Sequence, residues 1–312
     1  MPPTEPAKPA WTADQAAQKY KDCWDQFNRK DWTAFRSCYG SAITVEAVDS
    51  GRPVVSGLDA AIKDAQDFAA AFPDVSGGLQ LVLASKDSVA GLAVVSGTHG
   101  GPLPGPDGKP IAATHKKIGY VMGLVVDLAD GAVVRERQYA DSTTLMAQIG
   151  AIKAPTRPLM AAGAAAPTVV VSTGSDTERA NVETFRANMK AFNDRDLKTL
   201  ADMNAAGGVF HDYTQPKDFD SKGNIAALNE LFKGFPDAKL EATTSWGAGD
   251  YVVTEGTFSG TNKAAVPSMG IKKPTGKTGK VRFLEITKIE GGKIKEDWLV
   301  FDSMAFAQQL GL

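Results

Sequence analysis

The chain repeats itself once. Phe27-Asn28, with Asp31 three residues on, recurs as Phe192-Asn193 with Asp196. Phe72-Pro73-Asp74 recurs as Phe235-Pro236-Asp237, and Asp141, Gln148 and Gly150 recur as Asp302, Gln309 and Gly311. The separation is 165 residues between Phe27 and Phe192, 163 between Phe72 and Phe235, and 161 between Gln148 and Gln309. A register that drifts so little means two copies of one domain with small differences in their loops. The period is far too long for a solenoid. A chain of 312 residues has room for two domains, each with its own core. The boundaries read as a disordered leader at 1–11, a first domain at 12–150, a linker at 151–176 and a second domain at 177–312.

Each copy opens with an amphipathic helix. Thr12 and Gln15 form a capping box, as do Ser175 and Glu178. Tyr20, Cys23, Trp24 and Phe27 then follow at helical spacing, as do Val182, Phe185, Met189 and Phe192. Asp31 and Asp196 are N-cap residues for a short second helix. A strand is expected near 43–48 and 209–213, and a third helix near 58–71 and 224–233, ended in both copies by Phe-Pro-Asp. Four strands complete each copy, with hairpin turns at Ala129-Asp130-Gly131 and Glu290-Gly291-Gly292. The fold class is α+β: two tandem domains, each a curled antiparallel sheet with three helices packed on it. The linker is rich in alanine, proline and threonine, and its Val169–Val171 stretch suits a short edge strand.

A net charge of −2 and the lack of an arginine-rich stripe argue against a nucleic-acid partner. No apolar run is long enough for a transmembrane helix. Three histidines, none at ligand spacing, argue against a metal site. No phosphate-binding glycine loop and no Gly-x-Ser-x-Gly elbow is present, so no cofactor is expected. The leader is rich in proline and alanine and has no hydrophobic core of a signal peptide, but it resembles the tether that follows one. The location therefore stays open between cytoplasmic and extracytoplasmic. Cys23 and Cys38 have Asn188 and Met203 as repeat counterparts, so the fold does not need a disulfide. Buried thiols are the expectation, with a bridge between helices as the alternative.

The closing pattern of the second copy is Gly291-Gly292-Lys293-Ile294-Lys295-Glu296-Asp297-Trp298, then Asp302, then Gln308-Gln309-Leu310-Gly311. It resembles that of the SnoaL-like family in the nuclear-transport-factor-2-like superfamily. In the first copy, Ser96-Gly97-Thr98-His99 is similar to the family's Gly-Thr-His strand end. The resemblance implies a cone-shaped sheet around a pocket closed by helices. It also implies a small-molecule ligand and, in the cyclases, an aspartate that moves a proton beside a carbonyl. On this likeness Asp302 is the candidate acid/base, with His211 and Asn262 to polarise or orient the ligand.

Strand alternation puts Glu296, Trp298, Val300 and Asp302 on one face, which the resemblance turns into the pocket. Tyr213 shares a face with His211. The same face of the first copy carries Arg135, Arg137, Tyr139 and Asp141, a set that suits an anionic ligand. His99 is the first copy's counterpart of Asn262, and Trp24 is a further ligand-lining candidate from the first helix. The bland alternatives are that Asp302 and Asp141 only cap the terminal helices, that the histidines are structural, and that the arginine face lies between the repeats. The stretch from Gly100 to Pro110 is a loop beside the expected pocket mouth, suited to a lid. Two functions follow. One is a cofactor-free cyclase or isomerase acting on a carbonyl compound. The other is a non-catalytic binding or scaffold protein with an apolar or anionic ligand. In both, the repeats form an internal pseudo-dimer, and the chain is a monomer.

Overall fold

The structure is a computed structural model that describes residues 11–105, 109–163 and 165–312. The expected leader lies outside the described residues up to position 10, as does part of the expected lid. The first repeat consists of α1 (Ala13–Arg29), α2 (Trp32–Arg36), β1 (Tyr39–Ala47), β2 (Val55–Ser56), α3 (Leu58–Ala71), β3 (Ser76–Ala84), β4 (Ser88–Thr98), β5 (Leu103–Pro104), β6 (Pro110–Ile111), β7 (Lys117–Ala129), β8 (Ala132–Tyr139) and α4 (Ser142–Gln148). The linker supplies β9 (Thr168–Val171). The second repeat consists of α5 (Asp176–Asn193), α6 (Leu197–Met203), β10 (Asn204–Asp212), β11 (Phe219–Asp220), α7 (Ser221–Gly234), β12 (Lys239–Ala248), β13 (Tyr251–Thr261), β14 (Thr278–Glu290), β15 (Lys293–Phe301) and α8 (Ser303–Leu310).

The two large sheets have the same strand order. It runs β2-β1-β8-β7-β4-β3 in one and β11-β10-β15-β14-β13-β12 in the other. One detail differs from the sequence expectation. The sheets are not wholly antiparallel, because β1 runs parallel to β8 and β10 parallel to β15. The terminal helices that Asp141 and Asp302 were expected to cap form as α4 and α8 after the last strands. The linker valines do form an edge strand, with β9 parallel to β3.

Local chemistry explains why particular residues recur. Both capping boxes form, and Asp31 and Asp196 cap α2 and α6. Asn28 pairs its side-chain amide with the backbone N–H and C=O of Gly77, and Asn193 does the same with Leu240. Each asparagine thereby satisfies two backbone groups at the start of a strand. Asp74 accepts from the backbone and hydroxyl of Thr98, and Asp237 from those of Thr261. Gln148 and Gln309 bind back to Gly119 and Lys280. The repeated motifs are thus mostly the tethers that hold helix ends to strands.

Each sheet is covered on both faces. Helices cover the concave face. In the first repeat Ala16, Ala17 and Tyr20 pack on Val82, Leu124, Val126 and Val133. In the second, Val182, Phe185 and Met189 pack on Phe210, Val252 and Ile289. The outer faces pack on each other. Leu81, Leu83, Leu92, Val121 and Val125 of the first repeat form one buried cluster with Val253, Leu284, Ile286 and Val300 of the second. The chain therefore contains its own dimer interface.

Cys23, in α1, is bonded to Cys38, which lies between α2 and β1, with Cα atoms 5.9 Å apart. The expectation of free thiols is corrected. Both side chains sit in one small cluster with Phe35 and Ile62, close enough to join.

Candidate functional site

Each concave face holds a buried acid on its last strand. In the first repeat Glu136, on β8, is buried and accepts hydrogen bonds from the Tyr39 hydroxyl at 2.9 Å and Gln138 Nε2 at 2.6 Å. Burial raises its pKa above the ordinary carboxylate range. Across the same sheet, on β4 and β3, the first helix is seated tightly: Tyr20 lies so close over Gly91, and Trp24 over Gly77, that a Cβ at either glycine would force a shift.

In the second repeat Phe185 and Met189 stand where Tyr20 and Trp24 stand in the first. Asp297 is the counterpart of Glu136, 161 residues on. It faces Thr287 across the β14–β15 ladder, and Thr287 Oγ1 donates to Asp297 Oδ2 at 2.6 Å. Glu285 lies one step along the same face of β14, opposite Leu299 and diagonal to Asp297, near enough for the two carboxyls to act on each other. Its counterpart in the first repeat is Leu124. Burial pushes Asp297 up to about 6, against the lowering effect of its hydrogen bonds from Thr287 and Glu285. Burial, and then the charge of Asp297, hold Glu285 well above the ordinary range. The pair therefore retains a proton near neutrality.

This concave face is less tightly covered than the first. The half-buried side chains of Ile225, Leu228, Leu231 and Phe232 on α7 pack with Leu240, Phe258 and Phe301. Only Gly234 of α7 is buried, whereas α3 buries Ala61, Ile62 and Ala71. Glu285 is half-buried, so the acid pair retains accessible surface. The edge strand β12 carries exposed Glu241 to Thr244, whereas the equivalent β3 is covered by β9.

The expected pocket face lies elsewhere. Glu296, Trp298 and Val300 project from the outer face of the second sheet, toward the first repeat. His211 bridges two carboxylates there, with Nδ1 3.0 Å from Asp218 and Nε2 3.0 Å from Glu296. Its ring stacks with those of Tyr213 and Trp298, and Trp298 stacks with Tyr251. On the first sheet Arg137 is buried and pairs with Asp127 and Glu255, and Tyr139 donates to Glu255 at 2.7 Å. Arg137 thus joins the two repeats and is fully matched by carboxylates. Arg135 is exposed.

Asp302 and Asp141 meet at the seam between the repeats. Asp302 caps α8, accepting from the backbone N–H of Met304 at 3.0 Å and Ala305 at 3.2 Å. Its other oxygen accepts from the Ser142 hydroxyl of the first repeat at 2.5 Å. Asp141 caps α4 through Thr144 and accepts from the backbone N–H and hydroxyl of Ser303. Burial raises Asp302 to about 6, and the nearby charge of Asp141 adds to that. The void beside Asp141, lined by Tyr120, Thr144, Arg157, Met160 and Tyr213 among others, is about 10 Å³, room for about one water.

His99 and Asn262 share a different task. His99 Nδ1 lies 3.0 Å from the Thr114 hydroxyl and accepts from the Thr114 N–H at 3.3 Å. Asn262 Oδ1 accepts from the N–H of Thr275, the counterpart of Thr114. Each side chain is wholly buried and staples the two ends of a loop. Burial lowers the pKa of His99, which keeps it neutral.

Of the expected residues, then, Trp24 lines a concave face, seated tightly over Gly77. Glu296, Trp298, His211, Tyr213, Arg137 and Tyr139 lie on the outer faces. Asp302 and Asp141 cap helices across the seam, and His99 and Asn262 hold loops. The acids that do face a cone were missed, although one sequence signal marked them: a carboxyl at the same repeat position, Glu136 and Asp297, in both copies. A hollow of about 600 Å³ opens away from all of these, at Lys116, Gly150, Ile152 and Lys153. It is broadly open to solvent and contains no acid–base pair. Among the described residues no cluster of potential ligands suits a metal ion, and no helix is long and apolar enough to cross a membrane.

A family model agrees with the two-copy arrangement. The family model described as SnoaL-like polyketide cyclase matches residues 14–149 and again 182–310. No curated protein matches the chain significantly. Among solved structures, a SnoaL-like protein from Jannaschia sp. CCS1 is 18% identical, covering 48% of this chain and all of that one, with a TM-score of 0.41. IdmH from Streptomyces antibioticus is 26% identical over 42% of this chain and 99% of its own, with a TM-score of 0.37. TsrD from Streptomyces laurentii is 22% identical over 43% and 97%, with a TM-score of 0.38. With two copies of the family's domain accounting for most of its length, the chain belongs to the SnoaL-like polyketide cyclase family.

Proposed function

We propose that the second repeat binds an apolar small molecule bearing a carbonyl oxygen against its concave face, and that the Glu285–Asp297 pair moves a proton there without a cofactor. The observation that carries this reading is the diagonal placement of two acids, Glu285 and Asp297, on the helix-covered face of the second sheet, with Glu285 partly accessible. Burial in apolar surroundings makes a carboxyl usable as acid or base near neutrality. One carboxyl gives its proton to the carbonyl oxygen while the carboxylate takes one from the adjacent carbon. The pair ends with the single proton it began with, the enol carries the transferred one, and passing the proton back between the two carboxyls resets the pair. The first repeat, with Tyr20 and Trp24 seated tightly on its sheet, serves as the built-in dimer partner.

This reading moves the acid/base role from Asp302 to the concave face, because the Asp302 carboxylate is already engaged by three donors. The test is a panel of neutral ketones and enones, scored by NMR for binding and for proton exchange beside the carbonyl in D2O. Asp297→Asn and Glu285→Gln are expected to slow exchange on the order of 100-fold or more, while Asp302→Asn slows it by less than about threefold, as expected for a group outside the reacting shell. Binding without exchange in the wild-type chain would leave a non-catalytic ligand-binding protein, the alternative reading.

A further inference from the structure

We propose that Thr287 is a positioning residue that decides which member of the acid pair keeps the proton. It holds the negative charge on Asp297 and leaves Glu285 as the neutral acid that meets the ligand. The assignment rests on the acid pair of the proposed function and adds a role to each of its members.

The geometry is asymmetric. Thr287 is wholly buried and donates to Asp297 Oδ2 at 2.6 Å. A hydroxyl donor stabilises a carboxylate more than a carboxylic acid, so it favours ionisation of Asp297. Glu285 gives Asp297 a second donor if the proton sits on Glu285. Asp297 then accepts from both sides, while Glu285 has no donor of its own beyond this partner among the described contacts.

The surroundings agree. From β10, Asp212 faces the pair and disfavours further negative charge near Asp297, while His211, on the opposite face of the same strand, favours it. Asp212 is itself held by Thr214, with Arg157 and Asp141 as its charged neighbours. From α5 the apolar residues packed on this face are Val182, Phe185 and Met189, and the one buried acid of that helix, Glu178, is held by the backbone N–H groups of Thr173, Ser175 and Gly249. Among the described residues, no cation acts on Glu285, whose charged partner is Asp297. A neutral acid with some accessible surface, beside a fixed carboxylate, selects a ligand oxygen that accepts a hydrogen bond and bears no negative charge. The anionic ligand expected from the arginine face of the first repeat is therefore disfavoured.

The test needs no ligand. The side-chain carboxyl carbons of Glu285 and Asp297 are followed by 13C NMR across pH in the full chain and in Thr287→Val and Thr287→Ser variants. In the wild type the carboxyl of Asp297 is expected to titrate near 6, with Glu285 ionising after it. Thr287→Val is expected to raise the proton affinity of Asp297 about tenfold or more, the size of one hydrogen bond to a charged group. Thr287→Ser restores the wild-type curve, which a purely steric role would not. If the valine variant does not fold, Thr287→Ala gives the same reading. An Asp297 curve unmoved by loss of the hydroxyl, or a wild-type chain in which Glu285 ionises first, overturns the assignment. A titration that follows expectation while the ketone panel shows no binding sinks the proposed function and leaves the proton assignment standing.

Discussion

The Asp302 carboxylate takes three hydrogen bonds, two from its own helix and one from the other repeat, and still holds its proton more tightly than an exposed aspartate. Burial is the larger effect. Its folded pKa, about 6, lies above its ordinary value of 3.8. The folded chain therefore binds more proton than the unfolded chain between those values. The stability linked to this group is fully present below about pH 4 and is lost as pH rises through about 6. Asp302→Asn keeps a favourable cap and removes that dependence. Urea melts should show the variant gaining roughly 2–3 kcal/mol on wild type between about pH 4 and neutrality. A difference that does not change with pH would mean that Asp302 is ionised throughout. The sequence showed that Glu296, Trp298 and Asp302 share a face, since alternation along a strand is strict. It could not show which face was concave. Helices cover one side of each sheet and the sister sheet covers the other, so both sides are apolar and the usual contrast of buried and solvated faces is absent.

At the scale of elements, the sequence was most legible where a backbone group needs a partner. The capping boxes, the Asp31 and Asp196 caps and the Phe-Pro-Asp helix ends all appear as read, because each satisfies a local geometric demand. The parallel pairing of β1 with β8, and of β10 with β15, is set by long-range docking and left no local mark. The Cys23–Cys38 bond is illegible for the same reason, since the turn through α2 brings the two residues together. The bond ties α1 to the start of β1 across a separation of 15 residues. Breaking it with Cys23→Ala and Cys38→Ala together should lower the stability of the first repeat by about 2–4 kcal/mol. Hydrogen exchange read repeat by repeat is the suitable measurement: faster exchange in α1 and α2, with little change in α5 and α6, is expected. Equal loss in both halves would show that the repeats unfold as one unit.

For the whole molecule, the outer faces supply the contact that two separate subunits would otherwise form. The shared cluster of Leu81, Leu83, Leu92, Val253, Leu284, Ile286 and Val300 is apolar, and the Arg137–Glu255 pair lies buried beside it. The linker contributes β9 to the first sheet and places Arg157 against Asp218 of the second repeat. Cleavage at a protease site engineered after Ala165 should leave the two halves associated, eluting together at the mass of the intact chain. Halves that separate at micromolar concentration would mean that the covalent link holds the interface, since a buried apolar contact of this kind is expected to persist without it.

The exchanged caps at the seam have a hereditary consequence. Asp141 answers to Ser303, and Asp302 answers to Ser142, so each half of the chain holds one member of two matched pairs. A substitution at any of the four positions is judged by a residue some 160 positions away. On the concave faces the copies differ: Leu124 and Val126 in one stand where Glu285 and Thr287 stand in the other. The seam caps thus tie the two halves residue to residue, while the interiors of the two copies differ.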